Sequence, residues 1–448
     1  MPENLLGQRV DAIRRLARRG HPAPLAKVVA KARPEDIAAV IEHLTAGEQR
    51  FVFNQVRDDS VAAAVLASLH GDDFLHLVTG ATPDRLAALL THLQADDQTD
   101  LLERLPAEQR EAVLAKMQGE EREEVEELLG YAPDTAGGIM SPLAFRLRDT
   151  LTCRDAIASV QEASDHELIY YAYIENEDGQ LVGVTSLRNL LTHPPSTKLA
   201  DIMASDVISV RPQTDQEEVA RIAGRYDLLA VPVVDERHVL LGIVTVDDVL
   251  DVIKEEAAED MLLMAGVREP EQEAQGSRLG VAARRLPWLM VTLLGGLLIS
   301  EVIRHFDPLL KSDLVLAGFI PIVMGMEGNV GIQAATVTVR GIATGRIDAG
   351  VGRAVWGEAS NGVLLGIVFA LLIGGYCWLR YGQIDLAASV AVAVVTGMTS
   401  ASFVGTLVPL SLRRLGVDPA IATGPFVTTA MDGLGLTIYL TVASLLLN

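Results

Sequence analysis

Five apolar stretches occupy the C-terminal part of the chain, at about 286–303, 314–339, 354–379, 386–412 and 420–447. Each is long enough, as a helix, to cross a hydrocarbon layer about 30 Å thick. This restricts the fold more than any other feature of the sequence. Lipid satisfies no backbone hydrogen bond, so only helices and closed barrels can span it. The polar residues before position 281 must therefore fold outside that layer.

The last stretch, AIATGPFVTTAMDGLGLTIYLTVASLLL, carries one carboxylate, Asp432, about midway. A charge near a bilayer centre costs about 2.5–3.5 kcal/mol on insertion scales. Asp432 is therefore expected to face a watery cavity, a cation or a partner; an Asp hydrogen-bonded to a neighbouring helix is the alternative. Gly424 and Pro425 are expected to interrupt the helix before it, and Gly433 and Gly435 to keep its far side slim. Broken helices offer carbonyl oxygens to ions. The second stretch holds PIVMGMEGNVGIQAATVTVRG, with Pro321, Glu327, Asn329 and Gln333 in apolar surroundings. Its glycines permit close helix approach, and its amides could orient water around an ion. Helix packing accounts for the glycines but not for Glu327. Glu358, near one end of the third stretch, reads as a snorkelling side chain.

Charge divides the chain at the same place. From Val281 onward nine acids meet ten Lys and Arg, whereas residues 1–280 hold fifty acids and 27 bases. Such an acidic half is unsuited to nucleic acid and suits cations, with a solvated acidic face as the plain alternative. Two cysteines, Cys153 and Cys377, leave no disulfide framework and suit a reducing cytoplasm. No signal peptide is visible at the start.

Residues 1–132 repeat short amphipathic units such as ARPEDIAAVIEHL, TPDRLAALLTHL and LPAEQREAVLAKM. Proline and early acids favour helix starts, so this reads as an all-α superhelical domain without a catalytic motif. From residue 133 a strand and helix pattern occurs twice. GGIMSPLAFRLRDTLTCRDAIASVQEA with LIYYAYIENEDGQLVGVTSLRNLL is echoed by ADIMASDVISVRPQTDQEEVARIAGR with LLAVPVVDERHVLLGIVTVDDVL. This internal repeat resembles a tandem pair of cystathionine-β-synthase (CBS) domains, over 133–247. Such pairs commonly bind adenine nucleotides through a Ser or Thr and an Asp three residues later. The second copy keeps Thr245 and Asp248, while the first has Ser186 and Asn189, with Arg188 nearby. The resemblance thus makes ATP a candidate ligand of Ser186, Arg188, Thr245 and Asp248.

The stretch TVDDVLDVIKEEAAEDMLLMAG, at 245–266, leads into an acidic helix and linker at 248–280. Asp248, Asp251, Glu255 and Glu259 are spaced three, four and four apart, along one helix face, and Glu256 and Asp260 widen the stripe. Like charges so placed repel unless cations sit between them; a solvated linker helix is the alternative. A polar link, VREPEQEAQGSR, leads to the spans at 281–448. Basic flanks orient them. Arg278, Arg284, Arg285, Arg340, Arg346, Arg353, Arg413 and Arg414 fall on one side, and Arg304, Lys311 and Arg380 on the other. The positive-inside rule puts the N-terminal domains in the cytoplasm and the C-terminus outside.

This order of domains resembles the MgtE family of magnesium channels along the entire chain. GIVTVDDVLDVIKEEAAED, GNVGIQAAT and LRRLGVDPAIATGPFVTTAMDGLGLTIYL carry the resemblance. It implies a multidomain membrane protein with a helical N-terminal domain, α/β tandem CBS domains, an acidic plug helix and a five-helix transmembrane domain. It also implies a homodimer in a bacterial-type plasma membrane, its pore lying between subunits and passing Mg²⁺ passively. Asp432, with Asn329 and Glu327, is the candidate pore site. The candidate regulatory Mg²⁺ ligands are Asp96, Asp100, Asp215, Glu217, Asp227, Asp248, Asp251, Glu256, Glu259, Asp260 and Asp418. Cytosolic Mg²⁺ would bridge them and hold the pore shut; at low Mg²⁺ their repulsion would release it. Three positions depart from the family pattern: Glu327 for a small or neutral residue, Ile332 for Asn, and Gly424 for a polar residue.

Mg²⁺ prefers oxygen ligands and gives up water reluctantly, so a site for the hydrated ion needs few carboxylates. No His or Cys cluster near Asp432 suggests a softer metal. A membrane-anchored sensor of cations or nucleotides is the second reading, though an anchor has no need of Asp432. An enzyme is disfavoured, since neither a G-x-x-x-x-G-K-[ST] loop nor H-E-x-x-H occurs.

Overall fold

The computed structural model describes residues 12–69, 71–163, 169–264, 278–347, 350–422 and 424–447. The expected polar link at 267–278 lies, except for Arg278, outside the described residues, as do the first eleven positions. The chain forms two compact units, Met1–Glu255 and Glu256–Asn448.

The first unit opens with short helices: α1 (12–19), α2 (Pro22–Val29), α3 (Pro34–Ile41), α4 (Ala46–Phe53), α5 (Asp59–Ala67), α6 (Gly71–Val78), α7 (Pro83–Leu90), α8 (Ala95–Glu103), α9 (Ala107–Leu114) and α10 (Glu120–Leu128). Local chemistry sets their starts. Pro34 and Pro83 occupy first turns, Thr45 and Glu48 form a capping box, and the Asp58 side chain accepts from the Ser60 N–H at 3.0 Å. Isolated helices shorter than about 12–15 residues are marginal in water, so packing must hold these. Ile37, Ile41, Val52, Val65, Leu69, Leu102 and Val125 supply that packing in one apolar core.

That core continues into an α/β region through Val219, Val233 and Val244. Its elements are β1 (Arg146–Arg148), α11 (Cys153–Glu162), β2 (Tyr171–Glu175), β3 (Leu181–Ser186), α12 (Leu187–Thr192), α13 (Leu199–Ile202), α14 (Gln216–Tyr226), β4 (Ala230–Val234) and β5 (Leu240–Thr245). The expected repeat is visible in the register. β2 pairs antiparallel with β3, Tyr171 opposite Ser186 and Ile174 opposite Gly183, and a shift follows at Glu175. β4 pairs with β5 in the same way, Ala230 opposite Thr245 and Val233 opposite Gly242, with the shift at Val234. Ser186 and Thr245 are therefore equivalent positions, each closing a strand just before a helix.

α15 (Val246–Met264) leaves β5 directly and crosses the boundary between the units. The second unit continues with α16 (Arg278–His305), α17 (Asp307–Ser312), α18 (Val315–Ala343), α19 (Val351–Tyr381), α20 (Ile384–Arg414), a 3₁₀ turn (Pro419–Ala422) and α21 (Pro425–Leu447). Five of these helices are long and apolar enough to cross a membrane, as expected. Small and hydroxylated residues let them approach closely. Ser389, Ser402 and Thr406 of α20 are buried, and a Cβ on Gly405 would overlap the Gly331 backbone of α18.

At the start of the fifth span the 3₁₀ turn ends at Ala422, Gly424 lies in a turn, and α21 starts at Pro425. Asp432 consequently stands two turns inside the helix. The buried Tyr439 hydroxyl donates to the Leu316 carbonyl at 2.9 Å and ties α21 to the start of α18. Tyr439→Phe is expected to lower stability by about 1 kcal/mol. A thermal melt in detergent checks it.

Candidate cation groove and acidic cluster

In the second unit, Asp432 and Thr428 of α21 face one side of α18, formed by Ile320, Pro321, Met324, Gly325, Gly328, Asn329 and Ile332. Together they line an open groove of about 460 Å³. Spacings of four, three and four between residues 321, 325, 328 and 332 keep one helix face toward it. Glycine shapes the wall: a Cβ on Gly328 would come within 3.5 Å of Asp432 Oδ1, and one on Gly325 would meet open space. Asn329 is exposed and Asp432 half-buried. A carboxylate, an amide and a hydroxyl are hard oxygen donors, suited to an ion that keeps its water.

Glu327 does not line this groove. It lies about 100° around the helix from Gly328, is only 1% exposed, and packs where a Cβ on Gly397 of α20 or Gly435 of α21 would overlap its carboxylate. Neither carboxylate oxygen has a hydrogen-bond partner among the described residues. Leaving such a group unsatisfied costs about 1–3 kcal/mol.

A second acidic site lies in the first unit, where α8 meets the start of α15. Asp96 Oδ1 is buried without a hydrogen-bond partner. Burial, then the charges of Asp248 and Asp97, push the Asp96 carboxyl up to about 8. Asp248 is pushed up to about 7, chiefly by burial and further by Asp247 and Asp97, against the lowering effect of the Thr245 hydrogen bond. Asp100 is pushed up to about 6 by the protein around it, against the lowering charge of Arg104, with Asp97, Glu103 and Glu255 adding to the rise. The carboxylates repel one another, and a cation between them would relieve that.

The remaining regulatory candidates do not converge on this point. Asp215 caps the start of α14 and accepts from the Glu217 N–H at 2.8 Å, whereas Asp227 ends the same helix in a left-handed conformation, φ 52°. All three are exposed. Asp251 is exposed and paired with Lys254 at 2.6 Å; Glu259 is exposed and Glu256 partly buried. Further along α15, in the second unit, burial and then Asp418 and Glu259 raise the Asp260 carboxyl. Leu263, three residues on, packs with Val339 of α18 and Ala420 of the 3₁₀ turn, so the end of the acidic helix rests against one span and the turn that precedes another. Among the described residues no three His, Cys, Asp or Glu side chains close into a metal cage.

The nucleotide candidates divide between the repeats. Ser186 accepts from the Asn189 N–H at 3.2 Å, and Arg188 is exposed. Thr245 Oγ1 donates to Asp248 Oδ2 at 2.5 Å, and its N–H to the same oxygen at 3.3 Å. The pairing that begins α15 therefore uses the carboxylate that faces Asp96. Sequence reasoning missed Thr428 and Gly328 in the groove; the face shared with Pro321 and Ile332 was the available signal for Gly328.

Comparison with known proteins settles the lineage. A magnesium transporter MgtE from Thermus thermophilus is 37% identical over 438 residues, 96% of each chain. The chain belongs to the MgtE family. Another MgtE, from Bacillus subtilis, is 36% identical across 91% of this chain and 93% of its own. Family descriptions match in the expected order: the MgtE intracellular N domain at 32–134, a CBS domain at 199–255, and the MgtE divalent cation transporter region at 320–442. Two solved structures resemble the polar part. The cytosolic domain of the Mg²⁺ channel MgtE in complex with ATP is 36% identical, with a TM-score of 0.51, covering 54% of this chain and 99% of that one. The soluble part of a magnesium transporter is 30% identical, with a TM-score of 0.50, covering 56% and 99%.

Proposed function

We propose that this MgtE-family protein is a magnesium-selective channel that admits Mg²⁺ passively and is held shut when cytosolic Mg²⁺ occupies its acidic domains. The observation that carries the reading is Asp432, set with Asn329 and Thr428 in a groove between two membrane-length helices. A single carboxylate with neutral oxygen donors can hold a hydrated divalent ion without stripping it. The groove is open along one side, which supports a homodimer in which two such walls face each other.

In this reading residues 1–132, the CBS pair at 133–247 and the acidic segment at 248–280 regulate the pore domain at 281–448. Mg²⁺ between Asp96, Asp100 and Asp248 binds the first unit together, and Mg²⁺ near Asp260 and Asp418 fixes the end of α15. Asp215, Glu217, Asp227, Asp251, Glu256 and Glu259 supply further acidic surface. The protein sits in a plasma membrane with its N-terminal domains in the cytoplasm. ATP binds at Ser186, Arg188, Thr245 and Asp248, a reading that the ATP complex of the related cytosolic domain supports. The test is Mg²⁺ entry into proteoliposomes along a Mg²⁺ gradient without any nucleotide. Entry is expected at low Mg²⁺ on the cytoplasmic face. Silence there would favour a membrane-anchored sensor.

A further inference from the structure

Glu327 has no place in the groove, yet it packs against the helix that carries Asp432, about one turn beyond it. Its carboxylate sits against Gly435, one turn beyond Asp432, and against Gly397 of α20, where a Cβ at either glycine would overlap it. The next residue, Gly328, faces Asp432 itself. The side chain is 1% exposed, and glycine is what meets its carboxylate on both neighbouring helices. Two helices each lack a Cβ where this side chain enters, and close-packed interiors transmit such contacts as fixed spacings.

We propose that Glu327 is a positioning residue, a steric key on α18 seated in glycine notches of α20 and α21 that fixes where Asp432 stands in the groove. The proposal rests on the groove being the ion path. Filling a notch forces the Glu327 carboxylate aside or displaces α21 against α18, and the second outcome moves Asp432, while removing the key makes room for the added carbon.

The experiment compares full-length wild type with Glu327→Gln, Gly435→Ala and the double variant Glu327→Gly/Gly435→Ala. Mg²⁺ uptake against Mg²⁺ concentration is read in proteoliposomes, and a thermal melt in detergent is taken of each chain. Gly435→Ala is expected to cut maximal uptake at least about tenfold, as overpacking does, and to raise the apparent KM, which loss of folded protein alone would leave unchanged. Glu327→Gln, which keeps the shape, stays within about twofold of wild type. The double variant recovers uptake, KM and melting temperature toward wild type, since its two changes compensate in one contact. Uptake by Glu327→Gln as low as that of Gly435→Ala would overturn the proposal in favour of a charge role, and so would a double variant no better than Gly435→Ala. Should wild type itself carry no Mg²⁺, the channel reading fails and the melts decide: recovery in the double variant upholds the key, and its absence removes it.

Discussion

Asp432→Ala is expected to reduce Mg²⁺ uptake by about two orders of magnitude, the scale set by removing one charge about 4 Å from a divalent ion in a partly solvated site. Among the described residues that line the groove, Asp432 is the only charged side chain and Asn329 the only polar one on the opposing wall, so no other lining residue replaces the lost carboxylate. Asp432→Asn keeps the oxygen and loses the charge, and is expected to fall between, near a tenfold loss, about 1.4 kcal/mol. Asn329→Ala should cost less than either, because a neutral amide holds water and does not balance the ion. Since Asp432 is half-buried and open to the groove, the melting temperature of Asp432→Asn should stay within a few degrees of wild type. Uptake by Asp432→Ala close to that of wild type would remove the groove from the ion path.

The second large effect is expected from the acidic cluster of the first unit. Asp96, Asp248 and Asp100 are held at about 8, 7 and 6, above the ordinary 3.8. A raised value means that the folded arrangement binds protons more tightly than the unfolded chain, so its contribution to stability is complete below about pH 4 and is lost as pH rises through the folded values. In metal-free buffer the melting temperature should therefore fall between about pH 5 and pH 8, by roughly 5 °C or more. Millimolar Mg²⁺ should reverse most of that fall at pH 8, since a cation then does what the proton did. Asp96→Asn/Asp248→Asn should flatten the pH dependence and abolish the Mg²⁺ effect. A melt equally steep in pH with and without the double substitution would place the linkage elsewhere.

Much of this architecture was legible in the residues. The spans showed as uninterrupted apolar length, and the CBS repeat as two copies of one element order, because each reports local patterning that tertiary packing must respect. The groove was half legible. Asp432 stood out by its cost in lipid, but which residues would face it depended on the rotation of α18. Glu327 and Asn329 lie two positions apart, so they point to different sides of the helix, and only Asn329 reaches the groove. The acidic cluster was legible as a charge stripe on α15, yet its depth was not. Asp96 joins Asp248 only because α8 and α15 share one folded unit, a contact across about 150 residues that no spacing rule reports. The same limit explains why Asp215 and Asp227, both acidic and close in sequence, stand at opposite ends of α14.

The account turns on cation occupancy of that cluster controlling passage through the groove. Uptake into proteoliposomes with fixed external Mg²⁺, while Mg²⁺ on the face of the polar domains is raised from micromolar to about 10 mM, tests it most directly for wild type and Asp96→Asn/Asp248→Asn together. Wild-type flux is expected to close as that face fills, beyond the loss of gradient, and the double variant to stay open. Wild-type flux that follows the gradient alone, or a variant that closes at the same concentration, would contradict it.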